Sequence, residues 1–130
     1  MGKPDRETIG KQLRMLERIL SDLRESWLFV EGKKDKEALG QLGCTKVLTI
    51  SGNLRRSCET LGTDVEKVII LTDLDRRGDQ LLLAAKDELE GCSKKADTET
   101  RRRLAGILGL RCFEDIGRKY DDFMEMAKEI

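Results

Sequence analysis

Three short apolar runs, separated by segments of helical character, constrain the fold of this chain more than any other feature. The runs lie at residues 27–30, 46–50 and 67–72, and the last contains the uninterrupted sequence Val68-Ile69-Ile70-Leu71. Strands that are apolar on both faces are typical of parallel sheets, because helices cover both sides of such sheets. The alternation of these strands with helices therefore predicts an α/β fold with βαβ connections.

The segments around these strands have the sequence patterns of helices. In the first segment, apolar residues recur from Ile9 to Leu23 at alternating spacings of four and three, and Pro4 and Asp5 suit the start of a helix. Glycines mark the ends of several of the later helices. These further helices are predicted over residues 35–42, 54–61, 79–89 and 98–108 and from residue 116 onward.

We expect the 130 residues to form one domain with three layers, α/β/α, and a small, mainly parallel sheet of about four strands. The N-terminal helix would occupy residues 1–25, the core 26–92, and an Arg-rich C-terminal part over 93–130 would complete the fold. Leu110 to Phe113 is the candidate for the fourth strand. The polar stretch 91–100 is expected to be an exposed linker.

The charge balance limits the chemistry and the partners of the chain. It has 25 basic and 25 acidic residues and no histidine. A net charge of zero argues against a protein that coats DNA through a global positive field, although it leaves room for a local basic groove. The absence of histidine excludes Ser–His and Cys–His couples and His-ligated zinc. Any chemistry must therefore use carboxylates, lysine, arginine, thiols, hydroxyls or a metal held by oxygens.

The cysteines, the N-terminal sequence and the short length of the apolar runs indicate a cytoplasmic location. The four cysteines stand at Cys44, Cys58, Cys92 and Cys112. They form no CxxC pair, so a zinc site is not expected, and we interpret them as reduced, mostly buried thiols. The polar sequence at residues 1–5 does not resemble a signal peptide, and the longest apolar run, Leu81 to Ala85, is too short to span a bilayer. No membrane partner is expected.

Carboxylates follow two of the predicted strands. Glu31 follows the first strand, Asp73 and Asp75 follow the third, and Asp79 is four residues further on. Ligands of open parallel sheets bind at the carboxyl ends of the strands, where the strand order reverses. If strands one and three are neighbours, in the order 2-1-3, Glu31 and Asp73 meet at that point. Gathered carboxylates repel one another, and a divalent cation such as Mg²⁺ or Mn²⁺ relieves the repulsion.

Glycine and paired basic residues occur in all three turns that follow the predicted strands. The candidates for binding phosphate or nucleic acid are Gly32, Lys33, Lys34, Gly52, Arg55, Arg56, Arg76 and Arg77. Glycine allows close approach of a backbone to a ligand, and the N-terminus of a helix attracts anions. Carboxylates that hold a metal, surrounded by basic turns, are the arrangement expected for phosphodiester chemistry.

Two segments of the chain together resemble the Toprim domain. They are LFVEGKKD at residues 28–35 and VIILTDLDRRGD at residues 68–79, with the glycine turn Ser51-Gly52 between them. The Toprim domain is shared by topoisomerases, bacterial-type primases, overcoming-lysogeny-type nucleases and the ribonuclease that matures 5S ribosomal RNA. The resemblance covers about residues 25–90. By its size the chain is similar to the small stand-alone Toprim proteins, most of them archaeal.

The resemblance implies a Toprim-like fold and a role for each acid. Glu31 would be the general acid or base, Asp73 and Asp75 would hold Mg²⁺, and Asp79 would hold or orient a second ion. The implied activity is Mg²⁺-dependent nuclease or nucleotidyl-transfer chemistry on RNA or DNA, with Mn²⁺ as a substitute. The alternative is a non-catalytic module that binds metal and nucleic acid and acts with a partner. A complete topoisomerase or primase is not expected, because the additional modules of those enzymes are missing.

Several candidate residues also have simpler structural explanations. Asp35 and Asp79 stand in the first turns of predicted helices, where acids offset the helix dipole. Residues 101–103 are three consecutive arginines, which would either contact a nucleic-acid backbone or form a solvated face. The resemblance assigns no role to residues 112–115. The apolar stripe of the first helix would pack on the sheet of its own chain, with a homodimer contact as the alternative.

Overall fold

Four parallel strands form the sheet of this chain in the computed structural model, which describes residues 5–129. The strands are β1 (Trp27–Val30), β2 (Val47–Thr49), β3 (Lys67–Leu71) and β4 (Lys95–Asp97). Their order in the sheet is β2-β1-β3-β4, and every pairing is parallel. The predicted α/β fold is therefore confirmed, and the first and third strands are neighbours, which is the condition under which Glu31 and Asp73 would meet.

Within residues 5–129, six α-helices cover the two faces of the sheet. They are α1 (Arg6–Glu25), α2 (Lys33–Gln41), α3 (Leu54–Thr60), α4 (Arg76–Gly91), α5 (Thr100–Leu108) and α6 (Ile116–Lys128). A single 3₁₀ turn, Phe113–Asp115, precedes α6. The helices α1, α2, α5 and α6 contribute to the core on one face, and α3 and α4 to the core on the other. The result is the predicted three-layer α/β/α arrangement.

The central strands β1 and β3 are buried on both faces, as their apolar sequences require. Leu28 and Val30 of β1 belong to the core beneath α1 and α5, whereas Phe29 belongs to the core beneath α3 and α4. The side chains from residue 68 to residue 71 alternate in the same way and are fully buried. Each fully buried side chain of this size contributes about 1.5–3 kcal/mol to stability. The sheet is thus held mainly by its two central strands.

The apolar stripe of α1 packs against the core of its own chain. Leu16, Leu20 and Leu23 are buried there, together with Ile9 at the start of the helix. The side chain of Asp5 accepts a hydrogen bond from the backbone N–H of Thr8 and caps the helix. The other predicted start residue, Pro4, lies outside the described residues. Intrachain packing, the favoured prediction for this stripe, is confirmed.

The predicted fourth strand, Leu110 to Phe113, is wrong. That segment forms no strand, and β4 lies instead at residues 95–97, within the stretch that was expected to be an exposed linker. β4 is an edge strand with the sequence Lys-Ala-Asp, and edge strands carry charges because one side of them faces solvent. The apolar side chains of Leu110 and Phe113 are buried in the core, which explains their hydrophobicity without a strand.

Two helices begin earlier than predicted, and the difference matters for the site. Gly32 is the N-cap of α2, and the carboxylate of Asp35 accepts a hydrogen bond from the Gly32 N–H at 2.9 Å. Asp75 is the N-cap of α4, and its Oδ1 atom accepts from the Gly78 N–H at 2.7 Å. The basic residues that follow these caps therefore lie in the first turns of the helices rather than in loops.

Asp97, at the end of β4, fixes the start of α5. Its carboxylate accepts hydrogen bonds from the backbone N–H groups of Glu99 and Thr100 and from the Thr100 hydroxyl. Partial burial opposes ionisation of Asp97, but these hydrogen bonds, helped by the charge of Lys67, outweigh it and lower its pKa. The ionised side chain therefore stabilises the fold at neutral pH.

We expect Asp97→Ala to lower the free energy of unfolding by about 1 kcal/mol at pH 7, a typical loss for a helix cap. Because the pKa of the folded state lies below the ordinary 3.8, the difference between wild type and variant should be constant above about pH 5. It should shrink as the pH falls through the lowered pKa. Urea unfolding of both proteins from pH 7 to pH 3 measures the difference. A difference that grows on acidification would contradict the prediction.

The described helices and cysteines bear on two further predictions. No described helix is long and apolar enough to cross a membrane. The four cysteines are free thiols, as predicted. Cys44 and Cys58 are buried as expected, whereas Cys92 is exposed and Cys112 is half-buried. Burial raises the pKa of the Cys58 thiol to about 11, so it is not a reactive nucleophile at neutral pH.

Candidate metal and phosphate site

Glu31 and Asp73 lie side by side at the carboxyl edge of the sheet. They follow β1 and β3, which pair in register with Val30 opposite Leu71. The Oε2 atom of Glu31 accepts a hydrogen bond of 2.7 Å from the backbone N–H of Asp73. In the order β2-β1-β3-β4, β2 lies on one side of β1 and β3 on the other, so the strand order reverses between β1 and β3. The structure therefore brings together the two acids that the strand ends predicted to meet.

The backbone and side chain of Asp73 are held by other elements as well. Its Oδ1 atom accepts a hydrogen bond of 3.0 Å from the backbone N–H of Phe113, in the 3₁₀ turn. Its carbonyl oxygen lies so close to Gly78 that a Cβ atom added there would overlap it. The hydroxyl of Thr72 donates to the carbonyl of Gly78 at 2.8 Å. The segment from Thr72 to Gly78 is therefore tightly folded onto the first turn of α4.

A cavity of about 340 Å³ opens beside these two acids. Its lining residues are Glu31, Gly32, Lys33, Lys34, Asp35, Ser51, Asp73, Arg77 and Glu114. The acids Glu31, Asp35 and Asp73 are buried or half-buried, whereas the basic side chains are exposed. The cavity thus combines an interior of buried or half-buried acids with a basic rim of Lys33, Lys34 and Arg77, beside which the acid Glu114 is also exposed.

The basic rim comes from the first turns of two helices. Lys33 and Lys34 begin α2, and Arg77 is in the first turn of α4. The Nη2 atom of Arg77 donates a hydrogen bond of 3.1 Å to the hydroxyl of Ser51, in the turn after β2. The segments that follow β1, β2 and β3 therefore all contribute to the rim. Ligands of parallel sheets bind at this edge of the strands.

Not every predicted residue reaches this cavity. The predicted residues that do not line it are Gly52, Arg55, Arg56, Arg76, Asp75 and Asp79. Arg55 lines a separate groove between α3 and α4. Gly52 has a φ angle of +89° in the turn before α3, which is a conformation that favours glycine. The conformation of this turn therefore accounts for a glycine at position 52.

Burial, together with the charges of neighbouring acids, raises the pKa values of Glu31 and Asp35. Burial is the largest cause for Glu31, and the charges of Asp73 and Asp75 add to it, against the hydrogen bond from the Asp73 N–H. Burial also raises the pKa of Asp35, helped by the charges of Asp73 and Glu114, against the hydrogen bond from Gly32. Both carboxyls therefore resist ionisation mainly because they are partly withdrawn from solvent, and the neighbouring acids add to this effect.

Asp79 faces an arginine from another part of the chain. Its Oδ1 atom lies 2.8 Å from the Nη2 atom of Arg101. Arg101 is buried, so the prediction that residues 101–103 contact a nucleic-acid backbone or form a solvated face is wrong for its first member. The spacing from Arg101 to Leu104 and Leu108 places all three on the buried face of α5, and that spacing is the sequence signal for the burial of Arg101.

Two curated proteins with similar sequences carry the same family name, UPF0292. A UPF0292 protein of Pyrococcus furiosus is 40% identical over 94 residues, which cover 70% of this chain and 71% of that protein. A UPF0292 protein of Pyrococcus abyssi is 34% identical over 116 residues, covering 85% and 88% of the two chains. This chain belongs to the UPF0292 family. No family model matches its sequence.

One solved structure supports the fold of this UPF0292 chain. A putative protein from Aquifex aeolicus superimposes with a TM-score of 0.68 at 27% sequence identity. The match covers 77% of this chain and 96% of the other. Neither the family name nor this structure states an activity, so the resemblance to the Toprim domain stays a prediction.

The donor set of this UPF0292 chain suits a partly hydrated cation rather than a closed cage of protein ligands. Asp73 and Asp75 each use one carboxylate oxygen to accept a backbone N–H, which leaves the second oxygen of each side chain. Among residues 5–129, no three or more acidic or cysteine side chains are grouped closely enough to share one ion. Mg²⁺ is usually bound through one or two carboxylates and keeps several waters. One free oxygen on each of two carboxylates is compatible with that pattern, and binding of Mg²⁺ or Mn²⁺ here stays a prediction.

Three residues that line the cavity were not among the predicted site residues. Glu114 comes from the 3₁₀ turn and Ser51 from a turn, and short irregular segments have no periodicity that would place their side chains. Asp35 was interpreted as a helix cap, which its hydrogen bond to Gly32 confirms, but it also lines the cavity of this UPF0292 chain.

Proposed function

We propose that this chain is a Toprim-type enzyme that cleaves or transfers phosphodiester bonds of nucleic acid with Mg²⁺ or Mn²⁺. The observation that carries the proposal is the hydrogen bond between Glu31 and the backbone of Asp73, inside a cavity rimmed by basic side chains. Acids that are crowded at the switch point of a parallel sheet are costly for stability, and such groups cluster at functional sites.

Glu31 is the proton-transfer group of this proposal. Its Oε2 atom is occupied by the N–H of Asp73, so the proton would be held or released at Oε1. Its raised pKa brings the carboxyl closer to the pH at which a general acid or base works best. Asp73 and Asp75 would hold the cation, which would supply charge stabilisation at the phosphate oxygens.

The basic rim would bind the substrate through its phosphates. Lys33 and Lys34 offer point charges, while Arg77 is oriented by its bond to Ser51. Phosphate contacts orient a nucleic acid without reading its sequence. Aromatic residues are only 4% of the chain, so stacking of bases on side chains is a minor contribution in this proposal. The free thiols support a cytoplasmic location, which is part of the proposal.

A labelled-substrate assay tests the function and identifies the polymer. Structured RNA, single-stranded DNA and duplex DNA would each be incubated with the purified protein in Mg²⁺, Mn²⁺ or chelator. We expect metal-dependent cleavage or extension of at least one polymer and its loss in Asp73→Asn, because that change weakens a proposed metal ligand. The control is Glu90→Gln at the far end of α4, where Glu90 is exposed and pairs with Lys86.

The possible results separate the two functional classes. Activity that survives in Asp73→Asn would contradict the proposed site. No turnover on any polymer, with Mn²⁺ and nucleic acid still bound by the wild type, would favour the alternative of a non-catalytic module that acts with a partner.

A further inference from the structure

Arg101 makes a set of buried hydrogen bonds to the segment that carries the proposed metal ligands. Its side chain is only 7% exposed. The Nε atom donates to the carbonyl of Thr72 at 2.7 Å, and Nη2 donates to the carbonyl of Asp73 at 2.6 Å. Nη2 also donates to the carboxylate of Asp79 at 2.8 Å. One guanidinium thus bridges two backbone groups after β3 and the first turn of α4.

These bonds account for the burial of a charged side chain. A buried charge is tolerated only when its donors are satisfied and an opposite charge is near. Asp79 supplies that charge, and its own side chain is 65% exposed, so the pair reaches solvent on one side only. The planar guanidinium holds its acceptors in a fixed relative geometry, which an ammonium group does not.

The position of Arg101 is set by elements outside the segments that resemble the Toprim domain. Asp97 at the end of β4 fixes the start of α5 through its bonds to Thr100. Leu104 and Leu108 anchor the same face of α5 in the core. Arg101 therefore approaches the Asp73 segment from a rigid support.

We propose that Arg101 is a positioning residue, which holds the backbone of Thr72 and Asp73 so that Asp73 and Asp75 are presented to a divalent cation. Glu31 accepts a hydrogen bond from the N–H of Asp73, and the Phe113 N–H donates to the Asp73 carboxylate. Arg101 donates to the carbonyl, so each polar group of Asp73 is hydrogen-bonded. The biological meaning of this inference rests on the proposed function, but cation binding can be measured without turnover.

Positioning and simple electrostatics predict opposite effects of removing Arg101. If its charge alone mattered, its loss would strengthen cation binding, because a nearby positive charge disappears and the carboxylate of Asp79 is released. If Arg101 positions the ligands, its loss weakens cation binding. Loss of residues that orient metal ligands typically costs about 10–100-fold in affinity.

The test is Mn²⁺ binding to the metal-free protein, followed by the electron paramagnetic resonance signal of free Mn²⁺. We expect Arg101→Met to raise the Kd for Mn²⁺ by about 10–100-fold and Arg101→Lys to raise it by a smaller factor, because lysine reaches fewer of the acceptors. Arg102→Met is the matched control, since Arg102 is exposed on the same helix and pairs with Glu99. Its Kd should equal that of the wild type.

Hydrogen exchange of the metal-free proteins is the second measurement. The amides of residues 72–78 should exchange faster in Arg101→Met than in the wild type, while those of β1 and β3 keep their protection, and Arg102→Met should match the wild type. This readout separates a local loss of positioning from general unfolding. Should Arg101→Met fail to fold, Arg101→Lys supplies both measurements.

Three results would overturn the inference. The first is equal or tighter Mn²⁺ binding by a folded Arg101→Met, and the second is an Arg101→Lys variant with unchanged Kd and unchanged exchange. The third is a wild type that does not bind Mn²⁺. A wild type that binds Mn²⁺ but turns over no nucleic acid would contradict the proposed function instead, and the shift in Kd at Arg101 would still be measured.

Discussion

Glu31→Gln is expected to lower the rate of the proposed phosphodiester reaction by about 10²–10⁴-fold at saturating Mg²⁺. Glutamine keeps an oxygen that can accept the Asp73 N–H, so the geometry at the switch point is retained. It cannot take up and release a proton at neutral pH. The Kd for Mn²⁺ should therefore change little, in contrast to Asp73→Asn, which should lose both binding and turnover.

Single-turnover kinetics and Mn²⁺ binding, measured side by side, check this prediction. Because the pKa of Glu31 is raised in the folded chain, its ionised form opposes folding above the ordinary value of 4.5. In chelator at pH 7, Glu31→Gln should consequently be at least as stable as the wild type, which shows that lost turnover is not unfolding. Full turnover in this variant would remove Glu31 from the mechanism.

Gly78→Ala is expected to lower the free energy of unfolding by about 1–3 kcal/mol, the usual range for overpacking a core. In an ordinary helical position the same change stabilises by up to about 1 kcal/mol, because alanine has the higher helix propensity. Here the added Cβ would overlap the carbonyl of Asp73, which is backbone and is held by Arg101. The steric cost therefore outweighs the gain in propensity.

Gly106→Ala is the matched control for Gly78→Ala. Gly106 lies within α5, is exposed, and a Cβ atom added there meets nothing within 4 Å. Urea unfolding should show Gly106→Ala to be slightly more stable than the wild type and Gly78→Ala to be less stable. Gly78→Ala should also weaken Mn²⁺ binding, since relief of the overlap displaces Asp73. Equal stability of the two variants would contradict the close contact between Gly78 and Asp73.

The strands that could be predicted are those whose sequences record their burial. Residues 68–71 are apolar on both faces because helices cover both faces of β3, and this requirement is visible without knowledge of the rest of the chain. The adjacency of β1 and β3 was predicted only as a condition for Glu31 and Asp73 to meet, and the sheet satisfies that condition. β4 could not be found in this way, because an edge strand with the sequence Lys-Ala-Asp carries no comparable signal.

Some residues of the site could also be predicted from the sequence, and others could not. Glu31 and Asp73 stand directly after buried strands, so their meeting depended only on strand order. Glu114 reaches the cavity through a 3₁₀ turn, whose position depends on how α5 and α6 pack. Arg101 belongs to a run of three arginines, of which it alone is buried. In the sequence, only its helical spacing to Leu104 distinguishes it from the two exposed arginines.

By itself, the sequence determined the α/β class, the two central strands and the pair of acids at their ends, because these depend on local periodicity and on the parallel direction of the strands. Only the tertiary structure decided which groups complete the site. Arg101 and Phe113 reach Asp73 from positions 28 and 40 residues away along the chain. Contacts between segments so distant in sequence arise from the packing of helices on the sheet. Local spacing shows which face of α5 is buried, but it does not show which segment that face contacts.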